Sequence, residues 1–339
     1  MPTKLTPTID SDWWVIAPRP SLSGIVKTDE THEHAFHRGL EMEHNAPVDH
    51  HIYQDTHGTY HLWACVRATA RGRVLYHWRS NDVRRSPWEA TGESVFADHD
   101  AGECVGELDG QEWLQSPFIV RDGGLFYMYY GGHRAGIDTF GAPVVLSESS
   151  DVLVETDPSL YQMCLMTSAD GLSWERNRNL DGTSRVFLGP GEVRDPCVLK
   201  IGDEWCMYYA GYFDPSRPDD GAGFVVRTSR DLVKWSPWRM VHRDPSFGAG
   251  RFATECPFVT YREGYYYLFR TVSYYKAITF VFRSEDPFDF GIGDASEKLV
   301  CRLECAAPEL YTFDGIDYLS SSHAPLVGEQ MCTLAWVES

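Results

Sequence analysis

Two tripeptides carry residue types suited to acid–base chemistry: Arg194-Asp195-Pro196 and Glu255-Cys256-Pro257. Each stands just ahead of an apolar run, a Gly turn and an aromatic run, as in "RDPCVLKIGDEWCMYYAGY" and "ECPFVTYREGYYYLFRT". A lone Arg-Asp-Pro is ordinarily a turn, because Pro suits a strand entrance and Asp bonds nearby backbone amides. Here other polar residues fall in comparable surroundings: Asp49 in "PVDHH", Glu309 in "APELY" and Gln115 in "LQSP". Carboxylates gathered in a small space, partly away from water, split their pKa values until one stays protonated near neutral pH. Such an acid can protonate a leaving oxygen, a second carboxylate can act as nucleophile or as base on water, and a third can hold sugar hydroxyls. That is the set needed to cleave a glycosidic bond.

The elements that must gather these residues are legible as a repeat. A Pro, a short apolar run, a Gly turn and an aromatic strand recur five times, at 46–66, 116–132, 195–211, 256–271 and 307–322. A second unit, Ser-x-Asp followed by an aromatic, closes four of the copies, at Ser80, Ser168, Ser229 and Ser284. The pattern predicts an all-β chain, a five-bladed β-propeller of four-stranded antiparallel blades. It is read as one catalytic domain over residues 1–339, with a strand near Trp13 to Ala17 closing the ring with the last blade. The Trp-Asp signatures of common interaction propellers are missing, and a β-sandwich would not need the same two-part unit in fixed order. Innermost strands would bring Asp49, Asp195, Glu255 and Glu309 to one channel mouth, with Asp195 and Glu255 at equivalent places of successive repeats. The Ser-x-Asp acids Asp82, Asp170, Asp231 and Asp286 read as structural turns, and Gly136 to Tyr161 reads as an inserted rim loop.

Composition narrows the partners. A formal charge of −19 repels a phosphate backbone, so nucleic acid and an anionic membrane surface are disfavoured. No apolar run has the length of a signal peptide or membrane span, which points to a soluble, cytoplasmic protein. Nine cysteines without paired spacing read as buried reduced thiols. His44, His50, His51, His57 and His61 cluster, but a strand turns His50 and His51 to opposite faces, so no metal site is expected. No cofactor is expected either. A calcium or sodium ion in the channel stays open, as does the oligomeric state.

The Arg-Asp-Pro and Glu-Cys-Pro motifs resemble the two downstream signature motifs of glycoside hydrolase family 32, the invertases and fructanases. The repeat architecture resembles the wider group that includes family 43, the arabinanases, arabinofuranosidases and xylosidases. That resemblance implies a glycoside hydrolase acting on a furanoside, a fructofuranoside or arabinofuranoside. In it Asp195 would stabilise the transition state, Glu255 would be the general acid/base and Asp49 the nucleophile or base, with Asp10 and Asp12 as fallbacks for Asp49. Arg194, Gln115, Trp113, His50, Glu309 and His323 are the substrate-binding candidates, and Tyr274 and Tyr275 are further aromatics suited to stacking on sugars. An Asp49 to Glu255 separation of about 5 Å would mean a retaining mechanism, and roughly 6.5 to 9.5 Å an inverting one. Two alternatives stand beside the hydrolase: a phosphorylase, for which Arg251 and Arg270 would supply phosphate-binding charge, and a non-catalytic sugar-binding propeller.

Overall fold

The computed structural model describes residues 3–20, 47–69, 72–103, 112–133, 161–191, 193–212, 221–322 and 328–338. The Gly136 to Tyr161 loop, apart from Tyr161, and His323 lie outside them. Two compact units contain these residues, one spanning Ala17–Arg194 and the other joining the N-terminal segment to the chain from Asp195 onward. Regular structure in both is almost entirely strand. No helix among the described residues is long and apolar enough to cross a membrane.

The chain opens with β1 (Leu5–Ile9) and β2 (Trp14–Pro18). The Ala17–Arg194 unit follows with β3 (Pro47–Gln54), β4 (Tyr60–Thr69), β5 (Gly72–Ser80) and β6 (Glu89–Val95), an antiparallel meander. A second meander runs through β7 (Glu112–Asp122), β8 (Leu125–His133) and β9 (Tyr161–Ser168), whose outer edge takes the short β10 (Glu175–Arg176) and β11 (Arg185–Leu188). A parallel contact, Gly72 with Glu112 and Arg73 with Trp113, joins the two into one nine-stranded sheet.

The other unit holds β12 (Arg194–Ile201), β13 (Glu204–Tyr212), β14 (Ala222–Ser229) and β15 (Arg239–His242) in one four-stranded sheet. A second is built from β16 (Glu255–Arg262), β17 (Tyr265–Ser273), β18 (Ile278–Ser284) and β19 (Leu299–Leu303). The last sheet takes β20 (Glu309–Phe313), β21 (Ile316–Ser321) and β22 (Gly328–Glu338), and both β1 and β2 pair with β22. Tyr267 anchors β1 from the neighbouring sheet, its hydroxyl within 3.1 Å of both the Leu5 amide and carbonyl.

The central strands read as unbroken apolar runs because both faces of each sheet are covered. In β8, Phe126, Met128, Tyr129 and Tyr130 are all fully buried, as are Met207, Tyr208 and Tyr209 in β13 and Tyr267, Leu268 and Phe269 in β17. Each such side chain contributes roughly 1.5–3 kcal/mol of hydrophobic free energy. The eight described cysteines are free thiols.

The Ser-x-Asp units form side-chain-capped turns. Asp170 accepts the amides of Leu172 and Ser173, both at 2.8 Å, and the Ser168 hydroxyl at 2.9 Å. The amides of Ser173 and Leu172, followed by the Ser168 hydroxyl, hold its carboxyl down to about 2. Asp82, Asp231 and Asp286 accept amides two residues on in the same way. These acids are committed to backbone.

Two polar networks are buried in the Ala17–Arg194 unit. Glu103, with no exposed surface, accepts Arg176 Nε at 2.9 Å and Nη2 at 2.8 Å, Ser184 Oγ at 2.6 Å, the Asp98 amide at 3.1 Å and the Tyr130 hydroxyl. In the first meander, Asp55 Oδ2 lies 3.2 Å from His61 Nε2, and His61 Nδ1 lies 2.9 Å from His77 Nε2. His77 Nδ1 in turn faces Thr91 Oγ1 at 3.0 Å and Glu93 Oε2 at 3.2 Å. The Asp55 contact assigns the Nε2 proton to His61.

Burial is the main force lowering the pKa of both imidazoles from the 6.5 of an unperturbed histidine. The unfolded chain therefore binds more protons than the folded one once the pH drops below about 6.5, so this part of the stability is present above that value and lost as the pH falls. The denaturant midpoint is expected to decline between about pH 6.5 and 5, and a His61→Gln/His77→Gln variant to decline less steeply. Equal slopes in the two proteins would show that the pair does not titrate with unfolding.

Candidate active site

One backbone feature recurs at the start of every first strand. Asp49, Ser116, Asp195, Cys256 and Ala307 have φ of 51, 53, 58, 50 and 47°, in the left-handed region that non-glycine residues rarely occupy. Four of them directly precede a Pro, and Asp49 precedes His50. In β3 the register passes from Val48 opposite Cys65 to His50 opposite Ala64, leaving Asp49 as an unpaired bulge. In β7 Ser116 and Pro117 together oppose Tyr130, and in β16 Cys256 and Pro257 together oppose Arg270. A bulge at a strand's start re-aims the side chains on either side of it, which is why a residue and its neighbour can both serve a site there.

This alignment corrects one expectation. Asp195 and Glu255 are not at equivalent places: Asp195 matches Cys256 at the positive-φ position, whereas Glu255 stands one residue earlier, level with Arg194 and Gln115. The two carboxylates thus leave their strands from different backbone geometries.

In the Ala17–Arg194 unit, Asp49 is half-buried and its Oδ2 accepts the Ser116 hydroxyl at 3.3 Å. Gln115 is buried, 2% exposed, and its Oε1 accepts Arg73 Nη1 at 2.5 Å and Trp113 Nε1 at 3.2 Å. The Arg73 guanidinium lies over the Trp113 ring, 3.7 Å from its centroid, a cation–π contact that fixes both. Gln115 Nε2 is buried and has no hydrogen-bond partner among the described residues. Gly131, opposite Gln115 in register, lets the backbone at Val193 and Arg194 approach closely, since a Cβ there would stand 3.1 Å from Val193 O and 3.6 Å from Arg194 Cα. His50 and His51 are both buried, and the His51 ring packs on Phe118 at 4.0 Å between centroids.

In the other unit, Asp195 is 5% exposed and its Oδ2 accepts the Cys256 amide at 3.0 Å. Glu255, 9% exposed, pairs with Thr271 of β17, and Cys256 Sγ touches the Tyr274 hydroxyl at 2.8 Å. Thr271 Oγ1 accepts the Ala307 amide at 2.8 Å, tying the start of the next repeat to the strand beside Glu255. Glu309 lies two residues past the positive-φ Ala307, level with Cys197 and Phe258, and accepts the Tyr311 hydroxyl. Asp10 and Asp12 are exposed in the turn between β1 and β2. Trp14 packs edge-on against Tyr318.

No protein-family model matches the chain, and no curated protein matches it in sequence. Solved structures do resemble it. An exo-1,5-α-L-arabinanase from a bovine ruminal metagenomic library superposes with TM-score 0.54 at 17% identity, over 87% of this chain and 95% of that one. The chain shares the fold of the family 43 glycoside hydrolases. A GH43_1 enzyme from Xanthomonas citri complexed with xylotriose gives TM-score 0.56 at 14% identity, over 88% and 90% of the two chains. An α-L-arabinanase from Cellvibrio cellulosa complexed with arabinohexaose gives 0.53 at 16% identity, over 87% and 92%.

Several residues at these strand starts were not legible beforehand. Ser116 could have been found, since it precedes Pro117 as Asp195 precedes Pro196. Arg73 could not, because the parallel β5–β7 contact that presents it to Gln115 leaves no local pattern. Arg270 needs a correction: a buried guanidinium with protein partners for every N–H is not available to bind phosphate.

Proposed function

We propose that the protein is a glycoside hydrolase acting on a furanoside such as an arabinofuranoside or fructofuranoside, and that its repeats are the blades of a five-bladed β-propeller. Asp49 serves as nucleophile or base, Asp195 stabilises charge developing on the sugar, and Glu255 protonates the leaving oxygen. The carrying observation is that these three carboxylates stand at or beside the positive-φ strand starts of a fold shared with family 43 enzymes. Two of the similar structures hold arabinohexaose and xylotriose, which favours a carbohydrate substrate. No step in this reading is assigned to a cofactor.

The deciding experiment is hydrolysis of a panel of nitrophenyl furanosides and pyranosides, with sucrose and fructo-oligosaccharides, by wild type and by Glu255→Gln. Turnover of a furanoside, reduced by about 10²–10⁴ in the variant while its circular dichroism is unchanged, is the expected result. Binding of sugar with no turnover of any member would replace the hydrolase with a binding protein.

Gln115 supplies a hydrogen-bond donor in this reading. Its Nε2 has no hydrogen-bond partner among the described residues although an unmet buried donor costs about 1–3 kcal/mol, and a sugar hydroxyl would meet it. Gln115→Glu keeps the Oε1 acceptor used by Arg73 and Trp113 but replaces the Nε2 donor with a charged oxygen that can only accept. It is expected to raise KM about tenfold with an unchanged or higher melting temperature. An unaltered KM would dismiss Gln115 as a substrate contact.

A further inference from the structure

Arg270 is among the largest fully buried side chains, 1% exposed, and the site described above does not use it. All five of its guanidinium hydrogens are engaged. Nε donates to Ala253 O at 3.0 Å, Nη1 to His242 Nε2 at 3.2 Å and Asp244 O at 2.8 Å, and Nη2 to Gly248 O at 2.6 Å and Thr254 Oγ1 at 3.2 Å. Every acceptor belongs to the stretch from His242 to Thr254, the connection that delivers the chain to Glu255. The last two acceptors in sequence, Ala253 and Thr254, directly precede Glu255.

The acceptors are themselves fixed. His242 Nδ1 donates to Phe290 O at 2.9 Å, which leaves Nε2 as an acceptor for the arginine. Burial foremost, with the Arg270 charge beside it, brings His242 down to about 3, so the imidazole stays neutral. Asp244 holds its own turn, accepting the Ser246 amide at 2.9 Å and the Ala295 amide at 2.7 Å. Burial lowers Arg270 only to about 10, so it remains charged at neutral pH and its hydrogen bonds are charge-assisted.

Its place in the sheet gives this hub a second grip. Arg270 is the residue opposite the Cys256–Pro257 bulge, and its neighbour Thr271 is the register partner of Glu255. The backbone of Arg270 thus backs the bulge while its side chain holds the incoming loop, so Glu255 is fixed from both sides. The second meander repeats the arrangement: Tyr130 faces the Ser116–Pro117 bulge and donates to buried Glu103.

We propose that Arg270 is a positioning residue for Glu255, setting the carboxyl where it can protonate the leaving group. The inference rests on the role assigned to Glu255 above. A misplaced general acid has a specific signature: it slows substrates whose leaving group needs a proton and spares those that depart as stable anions.

The test compares kcat for phenyl and 2,4-dinitrophenyl α-L-arabinofuranosides in wild type, Glu255→Gln, Arg270→Lys and Arg270→Met, below each protein's unfolding midpoint. Glu255→Gln should lose the phenyl substrate selectively. Arg270→Met should lower the phenyl to dinitrophenyl ratio by about tenfold or more, with Arg270→Lys between it and wild type. Because Arg270→Met can fail to fold, Thr254→Val, which removes one acceptor beside Glu255, provides a milder version expected to shift the ratio in the same direction. Equal slowing of both substrates in the Arg270 and Thr254 variants, with selective loss in Glu255→Gln, would overturn the positioning role alone. No selectivity in Glu255→Gln would overturn the reading of Glu255 and the inference with it.

Discussion

Asp49→Asn is expected to lower kcat on the order of a thousandfold, with the melting temperature and the far-ultraviolet spectrum unchanged. The substitution isolates charge from structure. Asn tolerates the left-handed region as readily as Asp, so the φ of 51° at the bulge survives. An Asn carbonyl can still accept the Ser116 hydroxyl that Asp49 Oδ2 receives at 3.3 Å. What is lost is a negative charge able to attack the anomeric carbon or to take a proton from water. Asp49→Ala changes more, since it adds backbone strain and leaves the Ser116 hydroxyl without this acceptor. It should therefore lose stability as well as rate. Following the anomer released by the wild-type reaction, by nuclear magnetic resonance, would then assign Asp49 as nucleophile if configuration is retained or as base if it is inverted. Wild-type turnover in Asp49→Asn would remove Asp49 from the reaction and return attention to the exposed pair Asp10 and Asp12.

What was legible beforehand follows a physical divide between local and long-range signals. The strands of "RDPCVLKIGDEWCMYYAGY" and its four counterparts were readable because turn glycines and aromatic runs act over a few residues. The Ser-x-Asp turns were readable for the same reason, their hydrogen bonds closing within two or three residues. The carboxylates could be singled out as a group but not placed. A left-handed residue followed by Pro is a feature of φ, and Asp195 and Cys256 share it despite having nothing chemical in common. Aligning the acids by type therefore set Glu255 opposite Asp195, one position away from where the backbone puts it. The supporting contacts were beyond reach altogether. Gln115 with Arg73 spans 42 residues, and Glu103 with Arg176 spans 73. No spacing rule connects side chains over such distances.

That second pair supports the largest expected effect on stability. Arg176→Met removes both guanidinium contacts to Glu103, at 2.9 and 2.8 Å, and the 2.5 Å bond from Arg176 Nη2 to Phe96 O. The carboxylate left behind has no exposed surface. Ser184, Tyr130 and the Asp98 amide still donate to it, but no cation among the described residues remains in direct contact with it. Breaking a buried pair in this way costs about 3–5 kcal/mol, most of it the penalty of an uncompensated charge. Removing both partners is a different experiment. Glu103→Leu/Arg176→Met takes the charge away with its counterion, so the double variant should be more stable than Arg176→Met alone even though it carries one more substitution. Denaturant midpoints of the two singles and the double decide the matter. A double variant as unstable as the sum of its singles would mean that Glu103 and Arg176 act separately, and that the loop from Ala97 to Glu103 is held to β10 by packing rather than by this pair. The opposite result would tie the two elements through one buried ionic contact. Tyr130, which donates to Glu103 and stands opposite the Ser116–Pro117 bulge, would then link that contact to the strand start that carries Gln115.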